Sequence, residues 1–472
     1  LTNINASYIP ANENLSRVQS AEGITRMSNK MRSWINKFVA GGVTAAIAIG
    51  ISFANSGSAK ALPAFAVQTR QPCQACHVGG FGPQLTAFGR EFKLHGYTLR
   101  TNPFNIPLSV MTVASYVKTQ KDQENPPANH YGRNDNGTVD QVSFFVAGGV
   151  GEHFGGFIQN TYDGVHRSWT WDNLDLRAVT TTTFANHDVL LGASLNNNPS
   201  VQEAWNTMAA WGFPYTSSSL SPAGGVAPLL TGAFAQKSLG LTGYTWIDQA
   251  LYVEAGAYNS PGAKGLARLG QDLTSPGNIH GLAPYGRIAY QHPVGSGTLE
   301  VGAFLFKADI NPGLDVSTGK TDRYTDSGVD LSYQRTLGNG DPITFNARYL
   351  HEKQKLNATY ALGNSANPSN SLDDLRADVA YYWKNKVGAT LQAFSTTGSA
   401  DTGLNASPNG KPDTSGAVVQ VDYTPWGGSA SPLGPRFNLR LGLQYTAYSK
   451  FNGVSTGASD NNTLRVFTWF AY

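Results

Sequence analysis

Arg436-Phe437-Asn438-Leu439-Arg440-Leu441-Gly442-Leu443-Gln444-Tyr445-Thr446-Ala447-Tyr448 reads with a period of two: Phe437, Leu439, Leu441, Leu443 and Tyr445 alternate with Arg436, Asn438, Arg440, Gly442 and Gln444. Successive side chains of an extended chain point to opposite faces, so this stretch makes a strand with one apolar and one polar face. The pattern returns in Leu375, Ala377, Val379 and Tyr381 against Arg376 and Asp378, and in Ile343, Phe345, Ala347 and Tyr349 against Thr344, Asn346 and Arg348. About sixteen such segments fill the chain after residue 104, near positions 107, 141, 153, 174, 188, 236, 250, 284, 297, 325, 342, 372, 386, 416, 436 and 461. Each is close to the length a tilted membrane strand needs, and an even number closes an antiparallel barrel.

The connections support closure. Short turns such as 293–296 and 384–386 interleave with long Gly, Asn, Ser and Pro-rich loops such as 197–235 and 259–283. Outer-membrane barrels alternate short periplasmic turns with long outer loops, which puts both chain ends on the periplasmic side. The last segment, with Leu464, Val466, Thr468, Phe470 and Tyr472 at every second position, resembles the C-terminal assembly signal of outer-membrane barrel proteins. A soluble β-sandwich is the competing reading, but charged residues make up only 14% of the 472, which suits a lipid-facing wall better. A net charge of +3, with basic residues scattered, excludes nucleic acid as the partner class.

Residues 27–61 read as a secretory signal: Lys30, Arg32 and Lys37 form a basic start, 38–53 an apolar middle, and Ala59-Lys60-Ala61 a small-x-small cleavage site. A transmembrane helix is the competing reading, disfavoured because the apolar run is short and rich in Gly and Ala. Residues before Met27 match no targeting class. The expected organisation is therefore 1–61 upstream residues and signal, 62–103 a small helical segment, and 104–472 the barrel.

Both cysteines of the chain fall in Cys73-Gln74-Ala75-Cys76-His77. C-x-x-C-H is the spacing at which two thiols attach haem covalently while the adjacent imidazole ligates its iron. A thioredoxin-like pair, half a zinc site and a simple disulfide compete, but no βαβ context and no second C-x-x-C accompany the motif. The expected cofactor is one covalently bound haem c on Cys73, Cys76 and His77. For the sixth ligand, residues 83–95 read as a short helix, with Pro83 near its start and Gly96 past its end, placing Leu85, Phe88, Phe92 and His95 on one face. His95 is the first candidate, although a histidine at a helix C-terminus also suits the helix dipole. Met111 is the alternative, and an open position is a third option.

Residues 63–66 and Gln68-Thr69, the haem motif, Leu85-Thr86-Ala87-Phe88-Gly89-Arg90-Glu91-Phe92-Lys93 and Gly96-Tyr97-Thr98 together resemble the N-terminal cytochrome of the fused outer-membrane cytochrome–porins of iron-oxidising bacteria. The likeness covers about forty residues in detail and the barrel in architecture. It implies a monohaem electron-transfer cytochrome acting as an iron(II) oxidoreductase in the outer membrane. Fe(II) would be the electron donor, a periplasmic cytochrome c or copper protein the acceptor, and lipid the surroundings of the barrel, with the haem segment on the periplasmic side or in the lumen. Such electron transfer needs no nucleophile or general base. So small a segment lacks a core of its own, and haem and barrel would supply one. Glu254, Glu300, Asp330, Asp378 and Asp422 are candidate cation-attracting residues, or ordinary lumen lining. Two other functions stay open: a diffusion porin with a structural haem plug, and a conduit running outward to an external acceptor.

Overall fold

The computed structural model describes residues 63–101, 107–429, 431–433 and 436–472; the signal expected over 27–61 and the boundary near 104 lie outside them. Among the described residues sixteen long strands form the wall, and each expected segment is one of them. They are β1 (Leu108–Thr119), β2 (Asn136–Val150), β3 (Phe154–Asp163), β4 (Ser168–Phe184), β5 (His187–Asn196), β6 (Leu239–Ile247), β7 (Leu251–Asn259) and β8 (Ala283–Val294). The series continues with β9 (Gly297–Asn311), β10 (Asp322–Thr336), β11 (Pro342–Lys355), β12 (Ser369–Trp383), β13 (Val387–Gly398), β14 (Thr414–Tyr423), β15 (Asn438–Lys450) and β16 (Thr463–Ala471). A two-residue strand, Asn278–Ile279, adds a minor pairing on β9. Each wall strand pairs antiparallel with its neighbours, and β1 closes on β16 from Met111 opposite Ala471 to Thr119 opposite Thr463. Closure leaves no unpaired sheet edge.

Alternation decides which face is which. Leu443, paired with Val466 across β15 and β16, is 49% exposed and Val466 44%, whereas Arg440 and Arg465 are 1% and 2% exposed. Apolar side chains therefore face out and polar ones in, the reverse of a soluble core. Exposed Trp383 and Tyr423 end their strands beside the short turns, and exposed Trp169 begins its strand on the loop side, as the aromatic girdles of membrane barrels do.

The lumen is filled. Three short helices, α1 (Pro63–Thr69), α2 (Cys73–Cys76) and α3 (Ala87–Leu94), lie inside it. The segment touches the wall all round: Ala64 N–H donates to Ser109 Oγ (2.9 Å), Tyr97 Oη to Asp175 (2.8 Å), Tyr244 Oη to the Leu94 carbonyl (2.6 Å) and Asn438 Nδ2 to the Gly80 carbonyl (3.1 Å). The loop 197–238 folds inward over it and reaches the far wall, where Arg348 donates to the Thr207 carbonyl at 3.4 Å and Gln392 to the Phe213 carbonyl at 2.7 Å. The helix expected over 83–95 is shorter than its pattern. Thr86 caps it, its Oγ accepting from Gly89 N–H at 3.1 Å, so Pro83 lies in the preceding turn and His95 is the C-cap.

Candidate functional site

One turn of α2 puts Cys73 and Cys76 on the same face, three residues apart. His77 then leaves the helix in an extended conformation and bridges to Leu85, with Val78 N–H donating to the Gln84 carbonyl at 2.9 Å. Helix α3 is pressed against this motif. Thr86 N–H donates to the Cys76 carbonyl (2.9 Å) and Thr86 Oγ to the Ala75 carbonyl (2.5 Å). A Cβ on Gly89 would stand 2.2 Å from the Cys76 carbonyl oxygen, so only glycine permits this approach.

The motif opens on a cavity of about 380 Å³, within the usual range of small-ligand and cofactor sites. Cys73, Cys76 and His77 form one end of it. Phe92, Phe145, Phe157, Trp211, Trp469 and Met111 make its apolar flanks, and Gln141, Gln159, Asp172 and Asn173 its polar end. The polar-end residues sit in the loop-side half of β2, β3 and β4, while Met111, Trp469 and Ala471 sit toward the turn-side ends of β1 and β16. The cavity therefore runs along the barrel axis, from the thiols on the turn side to carboxamides and a carboxylate on the loop side.

Burial sets the protonation of the thiol end. The Cys76 thiol is pushed up to about 12, by burial first and by neighbouring Cys73 second. Cys73 is also raised by burial, against a hydrogen bond from Asn438. Both thiols are free. Burial, and then the Arg440 guanidinium, push His77 down to about 4, so its ring is neutral at ordinary pH, and its buried Nδ1 has no hydrogen-bond partner. Lys93, lowered to about 7 by burial and then by Arg177, donates to the Val201 carbonyl at 2.7 Å and lies 4.8 Å over the Trp211 ring. Two unpaired thiols, a neutral imidazole with an orphaned nitrogen and an aromatic cavity beside them fit a haem c attached through Cys73, Cys76 and His77.

The two candidates for the sixth ligand separate. Met111 lines the cavity with the motif; His95 does not, its Nδ1 lying 2.9 Å from the Glu91 carbonyl oxygen and its ring 6.3 Å from that of Trp246. The helix face on the cavity is Leu85, Gly89, Phe92 and Lys93, not Leu85, Phe88, Phe92 and His95, because the close approach at Gly89 turns that face inward. The candidate cation-attracting acids are largely occupied with one another's partners. Glu300 and Asp330 both pair with Arg287 at 3.0 and 2.7 Å, Asp422 pairs with Arg440 at 3.3 Å, Asp378 accepts from Asn346 at 3.1 Å, and Glu254 accepts from Tyr252 at 3.0 Å.

Of the aromatic flank, the helix pattern identifies Phe92 alone; Phe145, Phe157 and Trp469 come from the wall. Their signal is adjacent apolar pairs that break the alternation, Phe144-Phe145, Phe157-Ile158 and Trp469-Phe470, in which one member faces out and the other faces the cavity. Lys93, Trp211 and Asp172 carry no sequence signal of their own.

No family model matches the chain, and no curated protein matches it. Solved structures that align with it include the Salmonella typhi OmpF complex with daunomycin (12% identity, 78% of this chain and 98% of that one, TM-score 0.44). The outer membrane channel DcaP of Acinetobacter baumannii aligns at 12% identity over 77% and 96% with a TM-score of 0.43, and the anion-selective porin from Comamonas acidovorans at 10% over 77% and 98% with a TM-score of 0.40.

Proposed function

We propose that this chain is an outer-membrane electron-transfer cytochrome that takes single electrons from extracellular Fe(II) and delivers them to a periplasmic redox carrier. The observation that carries this reading is the cavity inside the barrel that joins Cys73, Cys76, His77 and Met111 at one end to a polar, loop-side end at the other. The apolar outer face supports the membrane location. Bound there, a haem c supplies a one-electron iron couple. The chain's own residues do the rest: the two thiols anchor the group and His77 offers a neutral ring nitrogen. Met111, on the same cavity, would be the thioether candidate for a further iron ligand, and the aromatic flanks would exclude water. The plug and the inward loop keep the oxidised metal product outside. Each turnover oxidises one Fe(II) to Fe(III) and reduces the carrier by one electron.

Anaerobic stopped-flow spectroscopy tests this on the oxidised protein in detergent, following the haem α band after Fe(II) is added. Reduction by Fe(II) that His77→Ala abolishes supports it. A spectrum that dithionite changes and excess Fe(II) does not would overturn it; reoxidation by an external acceptor would then favour the outward conduit.

A second reading, a diffusion porin with a structural plug, is favoured by a polar cavity of about 180 Å³ between the inward loop and the far wall, lined by Thr207, Phe213, Asn346, Arg348, Asp378 and Gln392. Swelling of liposomes in small sugars, unchanged by haem redox state, would select it.

A further inference from the structure

We infer that the loop-side end of the cavity is a seat for a hydrated divalent transition-metal cation, with Asp172 as its anionic ligand. The identity of that cation as Fe(II), the electron donor, rests on the proposed function; the seat itself rests on the side chains.

Among the described residues Asp172 is the only carboxylate lining the cavity. Several other buried lumen acids are neutralised by arginine: Asp175 by Arg177 at 2.9 Å, Asp374 by Arg348 at 2.7 Å and Asp140 by Arg465 at 2.9 Å. Asp172 is held differently. Its oxygens accept from Thr161 Oγ (2.7 Å), Asn173 Nδ2 (3.0 Å) and Gln236 Nε2 (3.0 Å), three neutral donors, and no cation pairs with it among the described residues. These bonds orient the carboxylate and supply no countercharge. A cation, or a water of its shell, would take up a carboxylate oxygen in exchange for one of these neutral donors. Gln141 borders the same space and has an amide oxygen of the hard type that suits such a cation or its water shell, while Gln159 beside it accepts from Asn173 Nδ2 at 3.3 Å. Lys93, the only lysine or arginine on the cavity wall among the described residues, is turned away onto the carbonyls of Val201 and Glu203.

Weak binding follows from this composition. Among the described residues no three His, Cys, Asp or Glu side chains gather to chelate a metal. One carboxylate with amides draws in a hydrated divalent ion and lets it go, as a substrate ion must be, where a full chelate would retain the trivalent product. Placement agrees. Asp172 lies near the loop-side start of β4, where Gln236 of the inward loop donates to it at 3.0 Å. A cation arriving from the loop side meets this end of the cavity, and its electron leaves from the thiol end on the turn side.

The test uses Mn(II), redox-inert here, titrated into the purified full chain in detergent and followed by electron paramagnetic resonance, with Fe(II)-driven haem reduction measured in parallel. The expected result is one Mn(II) per chain, bound about tenfold more weakly by Asp172→Asn and partly restored in Asp172→Glu. The apparent KM for Fe(II) should rise by about the same factor in Asp172→Asn, with the limiting rate little changed. Gln141→Leu, which leaves the charge in place, gives a smaller loss and serves if Asp172→Asn does not fold. Mn(II) bound equally by wild type and both variants overturns the seat. Mn(II) binding that depends on Asp172, without any reduction by Fe(II), supports the seat and removes Fe(II) oxidation. Haem reduction by Fe(II) at an unchanged KM in Asp172→Asn does the opposite.

Discussion

Two stretches of the lumen wall differ in what they turn inward, although the buried pair Asp140 and Arg465 ties the first together as well. Beside the haem-motif segment, β1, β2, β3 and β16 turn Met111, Phe145, Phe157 and Trp469 inward. Across from it, β8 to β15 turn in Arg287 with Glu300 and Asp330, Arg348 with Asp374, and Arg440 with Asp422. Each side solves a different desolvation problem. Aromatic side chains can border a space closed to bulk water at no electrostatic cost, and that is where the cavity lies. Charges removed from water must be paired, so the ionic side locks neighbouring strands together and seats the inward loop. There Leu229 N–H donates to Glu352 at 2.6 Å and Leu230 N–H to Asp326 at 2.7 Å. A barrel interior thus need not be uniformly wet: one half holds the candidate cofactor space, the other holds the shape.

Substitutions on each side should separate these roles. Cys76→Ala should have the largest effect, removing covalent haem almost completely while the barrel still folds. Haem staining and heat-dependent migration on denaturing gels read the two quantities independently, and full covalent haem in the variant would end the attachment scheme. Arg287→Met strands two buried carboxylates and should destabilise by about 3–5 kcal/mol, read from urea unfolding in detergent. Equal stability would mean that the ionic side is solvated, not locked. Leu443→Arg, on the outward face midway along its strand, should cost about 2–4 kcal/mol in lipid vesicles; no cost there would argue against a bilayer around this wall. Thr86→Ala removes the cap of α3 and should cost about 1 kcal/mol. Its effect should be confined to the segment, seen as weaker haem retention with unchanged barrel unfolding.

Much of this architecture is legible locally. Every wall strand shows in its own alternation because strand periodicity and one-sided burial are properties of neighbouring residues. The C-x-x-C-H motif is legible for the same reason: its chemistry is contained in five consecutive residues. The helix was legible in place but not in facing. Its pattern put His95 and Phe88 toward the cofactor, whereas Gly89 packed on the Cys76 carbonyl turns Leu85, Gly89 and Phe92 that way. No periodicity within the helix encodes which side another backbone will approach.

By itself the sequence determined a sixteen-strand wall with an apolar outer face, and the spacing of the two thiols and the imidazole. Tertiary structure alone decided that the segment lies within that wall, that Met111 and not His95 shares the motif's cavity, and that Asp172 faces that cavity held by neutral donors. The division has one physical cause. Backbone geometry imposes its period on adjacent residues, while packing and charge pairing join residues far apart in the chain, such as Arg465 with Asp140, that only closure of the barrel brings within 2.9 Å.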